Sequence, residues 1–376
     1  MFDGLINFNL EETSPAMIKV IGVGGGGGNA VEYMYAKGIC DVDFVICNTD
    51  SQILEHSPIP HKIQLGAALT EGHGAGNNPE IGAKSARESM DEIKSLLFKN
   101  TKMAFITAAM GGGTGTGAAP VIAKCAKENG ILTVGIVTVP ARFEGPKRLN
   151  QAREGLRELK DNVDCLIVID NERIKDLYGS ETLSSAFANA NDILNTAAKG
   201  IAEIITLPGY INVDFSDVKT VMTNSGVAVM GAAKASGVGR AKEAIMKALD
   251  SPLLNNNDIC GAKDILLNIT SGTDEITMDE MTEITSIIIK RVGDTAAVIW
   301  GVGTDESLGD AVSVTIIATG FPNNDVENWD KDKTEKKGDD FLLKASEVAL
   351  KPDIDVKEAE ALEKVPAFNR RTIRIN

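Results

Sequence analysis

The run Gly111-Gly112-Gly113-Thr114-Gly115-Thr116-Gly117 constrains the fold of this chain more than any other segment. It stands between an apolar run, Met103–Ala109, and a helix-like stretch, Ala118–Glu128. Nearly bare backbone at a strand-to-helix turn lets several N–H groups converge on an anion, and the helix N-terminus adds its positive end. A turn that only reverses the chain has no use for so many small residues. A second run, Ile21-Gly22-Val23-Gly24-Gly25-Gly26-Gly27-Gly28-Asn29, closes the apolar Ile18–Val23 and contains Gly22-x-Gly24-x-x-Gly27, the spacing of a dinucleotide fingerprint. A third loop, Gly72-His73-Gly74-Ala75-Gly76-Asn77-Asn78-Pro79-Glu80, ends with Asn as N-cap and Pro at the first helical position. Three anion-ready loops exceed what one pyrophosphate needs and suit a triphosphate.

These loops punctuate a regular alternation. Ile18–Val23, Asp43–Cys47, Met103–Ala109, Ile131–Val137 and Cys165–Ile169 are short, rich in Val and Ile, and apolar on both faces. Central strands of a parallel sheet read this way because helices cover both sides. Helix-like stretches at Asn29–Lys37, Pro79–Leu97, Ala118–Glu128 and Pro146–Asp161 separate them. The pattern predicts a doubly wound, Rossmann-like α/β domain. Phe187, Ala190, Leu194, Ala197, Ile201 and Ile204 then recur at spacings of three and four, which predicts a long helix with one buried stripe, ending near Leu207-Pro208-Gly209. A smaller unit follows from about Asp217 to Phe321, with helices at Ala241–Leu249 and Asp279–Arg291. Its last strand, Ala311–Thr319, alternates apolar with Ser and Thr, so a mixed or antiparallel sheet with one wetter face is expected.

The net charge of 38 − 53 = −15 repels phosphate backbones and anionic lipid, which argues against nucleic-acid binding and against a broad basic membrane face. The start of the chain has neither the positive region nor the apolar core of a signal peptide, and no apolar run approaches the ~18 residues of a spanning helix. A soluble cytoplasmic protein without membrane insertion is expected. Cys40, Cys47, Cys125, Cys165 and Cys260 show no CxxC spacing, and His56, His61 and His73 are the only histidines, so no protein-built metal site is expected. In Asn323–Lys364, 21 of 42 residues are charged, the mark of a disordered linker. Val365–Asn376 reverses the sign with Arg370, Arg371 and Arg374, and resembles a docking peptide on a tether, although a frayed end with chance arginines has the same composition.

The nucleotide is not settled by the loops alone. No GxxxxGK[ST] supplies a phosphate-binding lysine, so backbone dipoles and Mg²⁺ would have to meet the charge. Asn48-Thr49-Asp50 sits where an NAD enzyme wants a ribose-binding acid, which leaves NAD open, although no later His, Tyr or Lys constellation suggests hydride transfer. Asp214 and Asp217, three apart before an apolar stretch, can face one side of a helix entry. By spacing alone they read first as an N-cap with a first-turn acid.

At these residues the sequence resembles the tubulin/FtsZ family, whose bacterial members are cell-division GTPases. GGGTGTG at Gly111–Gly117 is the family signature, and the pattern continues from about Met17 to Phe321. The resemblance implies a Rossmann-like GTPase domain (17–183) after an N-terminal extension (1–16). A central helix (184–206) would lead to a smaller mixed-sheet α/β activation domain (207–322), followed by the linker (323–364) and an adaptor-binding tail (365–376). It implies that GTP or GDP, with Mg²⁺ held through phosphates and water, is bound by Gly24, Gly25, Gly26, Gly27, Gly28 and Asn29, by Asn48 and Asp50, by Gly74, Ala75 and Gly76, and by Gly111, Gly112, Gly113, Thr114, Gly115, Thr116 and Gly117. Glu144 and Arg148 would belong to the ribose and phosphate loop, and Asn171, Phe187 and Asn191 would contact the base.

Asn212, Asp214 and Asp217 match the family's catalytic loop, which completes the next subunit's site in a head-to-tail filament. Val365–Arg371 resembles the peptide that binds a membrane-tethering adaptor such as FtsA at the midcell division site, where other division regulators also act. Tubulin-like relatives for plasmid partition or cell shape share the loops. The chain departs from the family in having Thr138-Val139-Pro140-Ala141 where Thr-Lys-Pro-Phe is usual, Asn369 where an apolar residue is usual, and an amide at position 191. An amide can accept from guanine N–H only through its oxygen, so selectivity leans partly on Asn29 and Asn171.

Overall fold

The computed structural model describes residues 16–321, apart from 40, 98–99, 207–208, 212, 252–258 and 294–295. Residues 1–15, the charged stretch 323–364, the tail 365–376, Asn212 and the Phe187 side chain lie outside the described part.

The first half alternates strand and helix: β1 (Ile18–Val23), α1 (Gly24–Lys37), β2 (Val42–Asn48), α2 (Ser51–His56), β3 (His61–Gln64), α3 (Ala67–Thr70), α4 (Pro79–Glu88), α5 (Met90–Leu97), β4 (Met103–Ala109), α6 (Thr114–Glu128), β5 (Leu132–Val139), α7 (Pro146–Asn162) and β6 (Cys165–Asp170). Two helices follow, α8 (Asn171–Tyr178) and α9 (Leu183–Thr206). The second half runs β7 (Gly209–Ile211), α10 (Phe215–Met222), β8 (Gly226–Ser236), α11 (Arg240–Leu249), β9 (Asp264–Ser271), α12 (Met278–Val292), β10 (Ala297–Thr304) and β11 (Ala311–Thr319).

All strands join one sheet in the order β3-β2-β1-β4-β5-β6-β8-β11-β9-β10-β7. The first six are parallel, with Ile18 of β1 facing Val42 on one side and Met103 on the other. Strand order reverses beside β1, so a crevice opens at the carboxyl ends of β1 and β4. β8 is the seam. It runs parallel to β6 through Cys165↔Gly226 to Ile167↔Ala228, then pairs antiparallel with β11 from Val229 to Ser236. β11–β9 and β10–β7 are antiparallel and β9–β10 parallel, giving the mixed second sheet the sequence predicts.

The predicted stripe on α9 is the hinge of the core. Ala190, Leu194, Ala197, Ile201 and Ile204 are buried in one cluster with Val134, Ile136, Ile167, Met230, Leu266 and Ile317. Each such Leu or Ile contributes about 1.5–3 kcal/mol through burial. On the other face of β8–β11, Ile245, Ile284 and Ile288 from α11 and α12 pack on Leu267, Val314 and Ile316. The wetter face expected for β11 is present at its start, where half-buried Ser313 and buried Thr315 line a polar cavity with Lys199, Glu203, Lys234 and Asp305. It is closed at its end, where buried Thr319 donates its hydroxyl to Val221 O of α10.

Three further expectations are corrected. α1 and α6 begin at Gly24 and Thr114, several residues before the predicted starts, so Gly24–Gly28 and Thr114–Gly117 form first helical turns while Gly111–Gly113 remain a loop. Pro79–Leu97 is two helices, broken at Ser89, whose hydroxyl donates to Gln64 O and accepts from Gly66 N–H. The edge strand β3 was not anticipated, since four residues carry too little pattern. The thiols of Cys47 and Cys165 are buried, and desolvation pushes each up to about 12, which makes them inert core groups. Among the described residues no helix is long and apolar enough to cross a membrane.

Candidate functional site: a split nucleotide cleft and a remote carboxylate loop

The crevice beside β1 is a cavity of ≈ 260 Å³ walled by Val23, Gly25, Gly26, Ala109, Met110, Gly112, Gly113, Thr114 and Gly115, with Thr138, Pro140, Glu144, Arg148 and Asn171 at its rim. Its chemistry follows from the two helix starts that face it. Neither α1 nor α6 has a side-chain cap or an acid in its first turn, whereas α2, α4 and α8 are capped by Asp50, Asn78 and Asp170. First-turn N–H groups have no intrahelical acceptor, so two uncapped starts converging on one crevice make an anion cradle.

The glycines divide by task. Gly24 has φ +72°, and a Cβ there would lie 2.8 Å from the Gly115 nitrogen; one on Gly115 would lie 2.7 Å from Ala109 O. Bare backbone is what lets the two loops interlock. Gly25 and Gly112 face open space, the position a ligand would fill. A Cβ on Gly117 would lie 1.9 Å from Pro79 O, so Gly117 serves the packing of α6 on α4. Thr116 is buried, and its hydroxyl accepts from Gly111 N–H at 2.8 Å, folding the loop from within. The Thr114 hydroxyl meets the Thr49 hydroxyl at 2.7 Å, tying the end of β2 to the signature loop.

Other predicted residues surround the cleft without lining it. Asn48 is buried and accepts from Asp50 N–H, while Asp50 Oδ1 accepts from Gln52 and Ile53 N–H. Asp50 thus serves first as the N-cap of α2, through Oδ1 alone. Ala75 lies beneath Gly113, with Gly74 and Gly76 on either side carrying the positive φ that the turn requires. Gly27 and Gly28 are buried in α1, and Asn29 is exposed.

A second cavity of ≈ 230 Å³ adjoins the first, sharing Glu144 and Asn171. Phe143, Ile174, Tyr178, Ala186 and Ala190 give it apolar walls, with Lys175 and Glu181 at the edge. Asn171 Oδ1 is buried without a hydrogen-bond partner at this junction, an acceptor left for a ligand to satisfy. Asn191 is half-buried beside Ala190 on α9. The junction is held by Glu172, whose carboxylate accepts from Arg142 N–H at 2.8 Å and Lys175 Nζ at 2.9 Å. Burial raises its pKa, but these hydrogen bonds outweigh that and leave the carboxyl below its ordinary value. Glu144 accepts from Ala141 N–H and pairs with Arg148 at 2.8 Å. Sequence reasoning missed Ile174 and Tyr178; the visible signal was an apolar pair four residues apart after Asn171.

The carboxylates lie elsewhere. Asp214 N-caps α10 and accepts from Asp217 N–H at 2.8 Å, while Asp217 returns the bond to Asp214 N–H. The capping reading is thus realised, and one oxygen of each carboxylate remains outside that box. Ala186 and Ala190 of α9 line the second cavity, whereas β7 and α10 follow the other end of that helix. A helix of 24 residues spans ~36 Å. Asn224, just after α10, donates to Asp164 at the amino end of β6, the edge of the sheet opposite the glycine loops. One chain cannot bring its own carboxylates to its own cleft.

A doubly wound sheet with capless glycine helices, a long central helix and a mixed second sheet defines a tubulin-like GTPase. Residues 17–179 match the GTPase domain of the tubulin/FtsZ family, and residues 226–322 match the C-terminal domain of the FtsZ family. The cell division protein FtsZ of Buchnera aphidicola is 45% identical, covering 96% of this chain and 98% of that protein; that of Porphyromonas gingivalis is 48% identical over 85% and 71%. An FtsZ dimer from M. jannaschii superposes with a TM-score of 0.76 at 42% identity, covering 82% of this chain and 89% of that one. The chain belongs to the FtsZ family.

Proposed function

We propose that the protein is a GTP-dependent polymerising GTPase of bacterial division, in which hydrolysis is completed between subunits. The reading rests on the separation of the nucleotide cleft from Asp214 and Asp217 by the length of α9. Residues 17–183 act as the nucleotide-binding domain and 207–322 as the activation domain, with 184–206 the helix between them. GTP places its phosphates against the starts of α1 and α6 and its base in the cavity beside Asn171, Phe187 and Asn191. Asp214 and Asp217 of the next subunit orient the water that attacks the γ-phosphate, and Asn212 positions their loop. Mg²⁺, held through phosphate oxygens and water as the family resemblance implies, would neutralise phosphate charge.

A contact between two unlike poles is not self-complementary, and without closure the assembly grows as a filament. GTP at the interface favours growth and hydrolysis weakens it. The tail Val365–Arg371 supplies a short apolar and basic ligand for a membrane-tethering adaptor such as FtsA, which brings the cytoplasmic filament to midcell.

Turnover per subunit is expected to rise steeply with protein concentration and to approach zero in dilute, monomeric protein, measured as phosphate release alongside sedimentation. Turnover independent of concentration would reject hydrolysis between subunits. Mixing a cleft-blocked variant, Gly112→Val, with Asp214→Asn is expected to restore part of the activity each lacks alone, since one interface type is then intact.

A further inference from the structure

β7 delivers the chain to the carboxylate loop, yet its own anchorage is slight. It has three residues, lies at the sheet edge, and pairs with β10 only at Ile211↔Val302 and Gly209↔Gly303, with an irregular register between them. What fixes it is a side chain. The exposed Tyr210 donates its phenol O–H to Glu275 Oε1 at 2.7 Å, across 65 residues of sequence. The carboxylate holds the Tyr210 phenol above its ordinary value, so it remains a donor.

An exposed pair between two loose segments would fix little. Here one side is clamped. Arg240, 4% exposed, donates to the backbone carbonyls of Asp274 (3.0 Å), Glu275 (3.0 Å) and Asp310 (2.7 Å). It also grips both carboxylate oxygens of Glu280 at 2.8 and 3.2 Å. Glu280 in turn closes the capping box of α12 with Thr277. The segment carrying Glu275 is therefore pinned at its backbone by a buried guanidinium.

We infer that Tyr210 and Glu275, anchored by Arg240, form a positioning array that sets the direction in which the Asp214–Asp217 loop meets the neighbouring subunit's nucleotide. The inference rests on the reading of hydrolysis between subunits. Tyr210 precedes Asp214 by four residues; buried Val213 and the buried face of α10 hold the far side of the loop, and the Tyr210–Glu275 bond fixes the direction in which the chain enters it. Placement of a group at a reacting centre is sensitive to shifts of about 1 Å.

The test compares Tyr210→Phe, Glu275→Ala, Glu275→Gln and the Tyr210→Phe/Glu275→Ala double variant in the full chain. The measurements are GTP turnover per polymerised subunit, the critical concentration from light scattering, and GTP affinity in dilute protein. Tyr210→Phe and Glu275→Ala are each expected to lower turnover about three- to tenfold, with critical concentration and GTP affinity unchanged. Glu275→Gln, which keeps an acceptor oxygen, restores turnover above Glu275→Ala, and the double variant falls no lower than either single one. Unchanged turnover in Tyr210→Phe overturns the inference. So does a loss in Tyr210→Phe that Glu275→Ala does not share, because the phenol would then be acting on the neighbour directly. Asp214→Asn separates the two levels: if it abolishes turnover while Tyr210→Phe does nothing, only the array fails, whereas full activity in Asp214→Asn defeats hydrolysis between subunits itself.

Discussion

Changing Asp214 to Asn, or Asp217 to Asn, is expected to lower GTP turnover about 10³-fold, as loss of a transition-state group supplied by a neighbour does in other GTPases. Asparagine at 214 remains a good N-cap, so α10 keeps its start and the loss isolates the carboxylate's charge. Magnitude separates the two roles. A lost cap is worth about 1 kcal/mol, less than tenfold in rate, whereas 10³-fold is about 4 kcal/mol. GTP affinity in dilute protein stays at the wild-type value, because neither carboxylate lines the cleft. Sedimented polymer is expected to persist longer in the variants, since the nucleotide at each interface stays uncleaved. A loss no greater than a lost cap explains, or a matching loss of GTP affinity, would return Asp214 and Asp217 to a purely capping role.

Arg240→Met destabilises the second half of the molecule by about 3 kcal/mol, the range for breaking a buried pair from one side. Methionine fills the space, but three backbone carbonyls lose their donor and Glu280 loses its partner. The Arg240 hydrogen bond is the largest influence on the Glu280 carboxyl and holds it below the ordinary value. A depressed carboxyl contributes stability above its unfolded pKa and loses it as pH falls through the folded one. The gap between wild type and variant is therefore full at neutral pH and narrows in acid, where only the carbonyl contribution remains. Urea-unfolding curves at neutral and strongly acid pH measure it. A gap that widens on acidification contradicts the assignment.

Period and composition carried much of the architecture. The five buried strands were legible because parallel strands covered on both faces read as unbroken Val and Ile runs, and α9 because Ala190, Leu194, Ala197, Ile201 and Ile204 keep one helical face. What escaped was set by tertiary contact. Glycine's poor helix propensity hid the true starts of α1 and α6, which the interlocking of Gly24 with Gly115 imposes. The polar residues of β11 suggested a wetter face, which holds at Ser313 and Thr315 but not at Thr319, closed by a hydrogen bond to α10. Within the site, the signature run marked the phosphate cleft, but not that Thr116 and Gly117 serve loop closure and helix packing. The clamp of Arg240 on the segment beside β7 joins residues 34 to 70 positions apart and leaves no local pattern.

The cleft's reliance on main-chain amides has a physiological corollary. Among the described residues its lining includes no lysine or histidine, and the ionisable side chains there, Glu144 and Arg148, pair with each other. Peptide N–H groups do not titrate and cannot be acylated. A wave of lysine acetylation would thus leave these amides untouched, and control through that channel has to act on outer surfaces instead.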